Sequence, residues 1–340
     1  LIHREEKSHL VATGGLYAPT IRYHNGTFYI VCTNVVHQSL DGSNNELQNF
    51  IISTTDIHAS KWSNPVYFDF HGIDPSLFFD TNTNKAYLCG SKSPGPSTKI
   101  TLFEIDINTG EKLTEEQELW HGAGGIYPEG PHIYFKDSLY YLMIAEGGTH
   151  EGHSVTMARS KSIWGPYEAS PLNPVLSAAG TSEYVQATGH CEAFVDKNGE
   201  WWGVCLGVRQ RLENLWGLGR ETFLVKGRWT EDGWLGFERA GICVEGFEDV
   251  REQARLTSTP GADMLYIHDP VLERYRISDR DISLTASPHD LTAPEESPSF
   301  MGKRQRQLDG TSSVTLRNPR CHSDSAKLIA GLAVYKDELR

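Results

Sequence analysis

Glu129-Gly130-Pro131-His132-Ile133-Tyr134, a turn at Lys136-Asp137, then Leu139-Tyr140-Tyr141-Leu142-Met143: this stretch decides the fold. Two apolar runs joined by a short polar turn make a β-hairpin. The same pattern recurs as Ala18-Pro19-Thr20-Ile21-Arg22-Tyr23 with Thr27-Phe28-Tyr29-Ile30-Val31-Cys32, as Asp74-Pro75-Ser76-Leu77-Phe78-Phe79 with Ala86-Tyr87-Leu88-Cys89, and as His190-Cys191-Glu192-Ala193-Phe194-Val195 with Trp201-Trp202-Gly203-Val204-Cys205. The copies lie about 55 to 61 residues apart, and hairpins repeating at such a period predict a β-propeller.

The turns agree. His24-Asn25-Gly26, Thr81-Asn82-Thr83-Asn84 and Asp196-Lys197-Asn198-Gly199 supply residues that tolerate hairpin backbone angles. The second run of each copy is apolar at nearly every position, which suits strands sandwiched between neighbouring sheets. Polar stretches ending at Trp62-Ser63-Asn64-Pro65 and Trp164-Gly165-Pro166, with a looser echo from Trp229 to Trp234, are expected to be the outer strands.

From about residue 248 aromatics thin out and charge rises. Residues 252–261 read as a linker, and Asp281 to Thr285, Ser299 to Met301, Ser313 to Leu316 and Gly331 to Tyr335 read as short strands. A β-sandwich needs roughly seven strands, so this unit looks partial. The expectation is an all-β chain. Residues 1–247 form a propeller with four blades evident, and 248–340 a linker and incomplete β-sandwich.

Net charge is −13 over 340 residues, without the basic patches that track a phosphate backbone, so nucleic acid is not expected as a partner. Nor does any apolar stretch approach the roughly 20 residues a spanning helix needs. Six cysteines show no CxxC pair and no metal spacing, and those in blade strands are expected as buried thiols.

The chemistry-bearing residues enter at one phase of the repeat, where the first strand of each blade opens onto the axis. They are Ala18, Asp74, Glu129, and His190 with Glu192. Either carboxyl alone reads as a turn residue. Together, converging on one funnel, they read as a catalytic pair. His150-Glu151-Gly152-His153 lacks HExxH spacing and a third ligand, so no metal site is expected there.

Gly14 to Gly26, Gly72-Ile73-Asp74-Pro75-Ser76-Leu77-Phe78, Tyr127-Pro128-Glu129-Gly130-Pro131-His132, Glu146-Gly147-Gly148-Thr149 through His153 to Ala158-Arg159-Ser160, Gly189-His190, and Leu218-Gly219-Arg220-Glu221-Thr222 together resemble glycoside hydrolase family 43. Within it they most resemble the β-xylosidase and α-L-arabinofuranosidase branch. That resemblance implies a five-bladed propeller joined to a C-terminal β-sandwich, acting on xylo-oligosaccharides or arabinosides. It implies Glu129 as general acid, Asp74 as the carboxylate that orients it and raises its pKa, Arg220 as the sugar-binding arginine and His190 as the histidine at the channel's centre. Tyr127 and His153 join them as sugar-binding candidates, with Trp216 as a further stacking wall. No cofactor is required, although the resemblance leaves open a calcium ion held near His190 through water.

The same resemblance puts the general base on an aspartate one blade before Tyr17. Only 16 residues precede Tyr17, so the base-bearing first blade is expected to be missing from this chain. Asp41, Asp56, Glu151 and Glu192 are the conceivable substitutes. The exposed faces of an open ring would suit a homo-oligomer. The two functional readings are therefore an inverting pentosidase and a propeller that binds pentosides without turnover.

Overall fold

The structure is a computed structural model. It describes residues 14–37, 45–59, 61–210, 218–245, 264–278, 281–293, 296–305, 309–317 and 328–335. Described residues 14–36 and 45–245 form one compact unit, and those from 264 onward belong to a second.

The first unit is a four-bladed β-propeller in which each blade is an antiparallel sheet with strands in chain order from the axis outward. Blade 1 holds β1 (Gly15–His24), β2 (Thr27–His37), β3 (Asn45–Thr54) and β4 (Val66–Phe68). Blade 2 holds β5 (Gly72–Asp80), β6 (Lys85–Lys92), β7 (Lys99–Glu104) and β8 (Gln117–Trp120). Blade 3 holds β9 (Glu129–Lys136), β10 (Leu139–Glu146), β11 (Ser154–Ser160) and β12 (Glu168–Ala169), with β13 (Leu176–Ser177) also on β11. Blade 4 holds β14 (Val185–Val195), β15 (Trp201–Arg209), β16 (Arg220–Trp229) and β17 (Leu235–Phe237). Every repeated hairpin is thus the inner pair of a blade. Trp62 to Pro65 and Trp164 to Pro166 fall at the joints between third and fourth strands, whereas the looser echo begins at Trp229, the last residue of β16, and ends at Trp234 just before β17.

Burial explains the continuous apolar runs. Val31, Ile51 and Phe68 of blade 1 pack on Leu77, Leu88 and Phe103 of blade 2. Tyr87, Ile100 and Leu102 face Tyr140, Leu142 and Ile144 of blade 3, whose Met143, Val155 and Met157 in turn meet Cys191, Cys205 and Val225 of blade 4. Each such buried Leu or Ile contributes about 1.5–3 kcal/mol. Cys32, Cys89, Cys191 and Cys205 are buried free thiols, packing as small hydrophobes. Among the described residues no comparable core joins blade 4 to blade 1; Leu16 and Tyr23 on β1 and Phe194 on β14 stay exposed.

The inner strands share one irregularity that the site depends on. Each slips register at the equivalent place, between Tyr17 and Thr20, between Ile73 and Ser76, between Glu129 and His132, and between Gly189 and Glu192, and β14 slips a second time between Gln186 and Gly189. At each equivalent slip a residue takes left-handed backbone angles: Ala18 (φ 38°), Asp74 (52°), Gly130 (57°) and His190 (47°). For the three non-glycines that conformation costs about 1–3 kcal/mol each, and bulges of this kind re-aim side chains. Glu129 therefore stands one residue before the position held by Ala18, Asp74 and His190. Sequence spacing alone had placed it level with them.

In the second unit, β18 (Met264–Leu265) pairs with β21 (Gly302–Lys303), and β19 (Tyr275–Ile277) with β20 (Ile282–Leu284). The strand expected at Asp281 to Thr285 is β20, whereas the one expected at Ser299 to Met301 begins later, as β21. Ser313 to Leu316 and Gly331 to Tyr335 are not strands. Val314, Leu316, Leu332 and Val334 are all exposed there, and β-forming residues without a packed face have little to hold them extended. The expected linker, 252–261, lies outside the described residues.

Candidate active site

The bulges aim four inner strands at a common point on the axis. Asp74 is buried, and its Oδ2 accepts the Gly130 N–H at 3.1 Å and, more weakly, the Ser91 hydroxyl at 3.4 Å. Blade 2 thereby grips blade 3 at the residue after Glu129. Gly130 has no alternative side chain: a Cβ there would lie 2.7 Å from His190 Nε2. Gly189 is matched in the same way to His153, whose Nε2 would stand 2.4 Å from an added Cβ. Two histidine edges thus rest on two bare glycines, which explains why Gly130 and Gly189 sit inside strands that otherwise disfavour glycine.

The electrostatics set Glu129 apart. Its carboxyl is pushed up to about 7, first by burial and then by the neighbouring Asp74 charge, with His190 and Arg220 pulling the other way. Tyr17, one residue before the first bulge, is held above the ordinary phenol range by burial, feeling Arg220 and Asp74 from either side. Tyr17, Asp74, Glu129, His190 and Arg220 therefore occupy one electrostatic neighbourhood. Tyr17 is the member that sequence reasoning passed over, although it occupies the pairing level of Glu129 two blades earlier. Tyr127 approaches from the loop before β9, with left-handed angles (φ 54°) and its ring against Gly148.

One level further along the same strands lies a second set, Thr20, Ser76, His132 and Glu192, with Arg22 reaching into it. Arg22 pairs with Glu192 across the axis and donates to Ser76 Oγ at 3.2 Å. His132 Nδ1 stands 3.0 Å from Ser76 Oγ and 3.4 Å from Arg22 Nη2. An arginine only donates, so Nδ1 serves as acceptor and the imidazole is neutral. Burial, Arg22 and His190 all hold His132 well below the usual histidine range.

With this geometry in hand, comparison with known proteins is decisive. Residues 2–235 match the model for glycosyl hydrolases family 43. The chain belongs to family 43. It is 35% identical over 94% of its length to the non-reducing end α-L-arabinofuranosidase of Bacteroides ovatus, and 33% identical over 94% to a xylosidase/arabinosidase of Butyrivibrio fibrisolvens. It spans 60% and 61% of those two curated relatives. Among solved structures, the Bacteroides ovatus xyloglucan PUL GH43B superposes with TM-score 0.75 at 34% identity, over 89% of this chain and 61% of that one. The xylan β-1,4-xylosidase of Bacillus halodurans superposes with TM-score 0.70 at 30% identity, over 89% and 61%.

The remaining candidates of this family 43 chain scatter. His153 is fully buried, with Nδ1 donating to the Ala187 carbonyl at 3.0 Å and its pKa lowered to about 4, chiefly by burial. It meets the axis through Gly189 rather than with an open face. Arg220 is exposed at the start of β16. Among the substitutes for a base, Glu192 is tied to Arg22, Asp56 caps its own turn through the His58 N–H at 2.9 Å, and Glu151 is exposed at a turn. Asp41 and Trp216 lie outside the described residues. Around His190 stand the Glu129 carboxyl, His132 and His153, a single carboxyl against the six to eight oxygens calcium takes, so an ion beside His190 would draw most of its ligands from water. No group of three or more His, Cys, Asp or Glu is placed to hold a metal among the described residues.

Proposed function

We propose that this chain carries the catalytic propeller of an inverting glycoside hydrolase that acts on xylosides or arabinosides of hemicellulose. The observation that supports it is the Asp74–Glu129 pair: one carboxylate grips the backbone beside the other, whose burial, with the Asp74 charge second, keeps it protonated near neutral pH. Inverting hydrolysis needs such a protonated carboxyl beside the leaving oxygen and an ionised carboxylate that activates water from the opposite face. Glu129 gives its proton to the glycosidic oxygen as the bond to the anomeric carbon breaks, and Asp74 sustains its pKa. Arg220 forks onto vicinal hydroxyls, His190 and Tyr127 border the sugar, and His153 holds the floor beneath His190. The names of the relatives, an α-L-arabinofuranosidase and a xylosidase/arabinosidase, support the pentoside class.

The base is the open element of this reading. The unpaired sides of blades 1 and 4 suit a ring of five positions, in which a fifth blade supplies the base, and the second unit suits part of a β-sandwich. A second reading, a module that binds pentosides without turning them over, is favoured by the assignment of Glu192 to Arg22 and of Asp56 to its own turn.

Xylobiose and an arabino-oligosaccharide test the first reading, because their poor leaving groups require the acid. Glu129→Gln should lose about 10²–10⁴-fold in kcat on them. On nitrophenyl β-D-xyloside, whose leaving group needs little protonation, the loss should be smaller. If the parent chain is inert but azide restores turnover, the acid reading stands and the base is what is absent. Inertness with azide, together with a melting temperature raised by xylose or arabinose, hands the case to the binding module.

A further inference from the structure

The Glu146-Gly147-Gly148 turn is part of the family motif, yet no step above uses it. Glu146 ends β10, directly after Ala145, the residue paired opposite Glu129. Its carboxylate is buried, although the loop above it, Ala123 to Ile126, is exposed. Each oxygen takes a different backbone donor, Oε2 the Ala123 N–H at 2.9 Å and Oε1 the Gly125 N–H at 2.7 Å, and the Thr156 hydroxyl donates to Oε2 as well. The loop has closed on the carboxylate so tightly that a Cβ at Gly122 would lie 2.4 Å from Oε1, and one at Gly125 2.9 Å from the same atom. Beside this clamp the Gly147 N–H donates to the Ile126 carbonyl at 2.7 Å, and Gly148 abuts the Tyr127 ring. The next two residues are Pro128 and Glu129.

We infer that Glu146 is a positioning residue for Glu129, its carboxylate clamping residues 122–126 so that Tyr127 and Glu129 are delivered to the axis at one fixed depth. The inference rests on the reading of Glu129 as the acid, but it concerns how deeply that carboxyl is buried, which can be measured without turnover. A carboxylate is required for the clamp: an amide at this position turns one acceptor into a donor that faces a backbone N–H, and an aspartate is too short to span both donors.

The test follows the Glu129 carboxyl by carbon-13 NMR in glutamate-labelled protein, with Glu129→Gln to assign the signal, alongside amide exchange at Ala123 and Gly125. In Glu146→Gln the Glu129 titration should fall from its raised position toward that of an ordinary glutamate, and both amides should exchange at least tenfold faster. Gly125→Ala keeps the buried carboxylate but crowds it, and should move both readouts the same way by a smaller amount, so a poorly folded Glu146→Gln does not end the test. Where turnover is measurable, kcat should drop at least tenfold on xylobiose with KM within about threefold, and the alkaline limb of the pH profile should shift to lower pH. A folded Glu146→Gln or Gly125→Ala in which Glu129 titrates as in the parent overturns the inference. A parent chain inert even with azide overturns only the hydrolase reading, because the titration remains readable.

Discussion

The two levels of the axis are built from the same four strands, only two or three residues apart, yet they carry opposite chemistry. At the lower level Arg22, Ser76, His132 and Glu192 satisfy one another, with charge matched by charge and a neutral imidazole accepting what the guanidinium offers. At the upper level Asp74 and Glu129 are like charges brought together, and one of them escapes by holding its proton. The boundary between the levels is the repeated bulge. Regular pairing below it lets polar groups meet in complementary pairs, and the left-handed residue at it turns side chains into positions that pairing would not choose. The lower level is matched in charge. The upper one carries the carboxyl held protonated, which is where the proposed chemistry lies.

The sharpest way to test that division is pH. Glu129 titrates near 7 folded and near 4.3–4.5 unfolded, so its contribution is fully present below the unfolded value and is lost as pH rises through 7. Glu129→Gln removes the penalty. Its stability advantage over the parent should therefore widen by about 3 kcal/mol between pH 4 and pH 8, read from urea midpoints at each pH. An advantage that stays flat across that range would mean that the upper level is not strained by charge.

Breaking the lower level should do the reverse. Glu192→Gln leaves the Arg22 guanidinium beside His132 without its counter-charge, and because both partners are about a fifth exposed the loss should be about 2–3 kcal/mol rather than the full buried-pair value. The Arg22→Met, Glu192→Met double variant should lose less than the sum of the single ones. Turnover in the folded variants should stay within about threefold of the parent; a tenfold fall with unchanged stability would move Glu192 into the chemistry.

Asp74→Asn is the smallest perturbation and the most specific. The amide oxygen can still accept the Gly130 N–H, so the backbone grip survives while the like charge goes. Burial, the larger cause, remains, so Glu129 should titrate lower without reaching the ordinary glutamate range. The alkaline limb of kcat/KM should move down with it, costing about tenfold at pH 8. An unmoved limb would show that Asp74 acts only by geometry.

How much of this was legible beforehand differs from residue to residue. The hairpins were readable because Asn25-Gly26 and Asn198-Gly199 turns and unbroken apolar runs are local signals, and the Asp74 and Glu129 positions stood out because their prolines and spacing are local too. The assignment of Glu192 was not readable. It was a candidate base on its own strand, and only Arg22, reaching across the axis from residues far away in the chain, makes it a structural partner. Tyr17 was hidden for a related reason, since an aromatic in a propeller strand has the same local appearance whether it fills a core or faces a channel. Gly331 to Tyr335 failed the other way: its composition is that of a strand, yet Leu332 and Val334 are exposed and the segment is not one.

By itself, then, the sequence determined the period, the hairpins, the membership of four inner strands in one repeated plan and the residue types that reach the axis, because strand pattern and turn chemistry act over a few neighbouring residues. Only the tertiary structure decided which carboxylates stay strained and which are neutralised. That choice depends on the one-residue offset a bulge introduces and on charges arriving from other blades, and distance in space, which sets Coulomb energy and burial alike, is not written in any single stretch of chain.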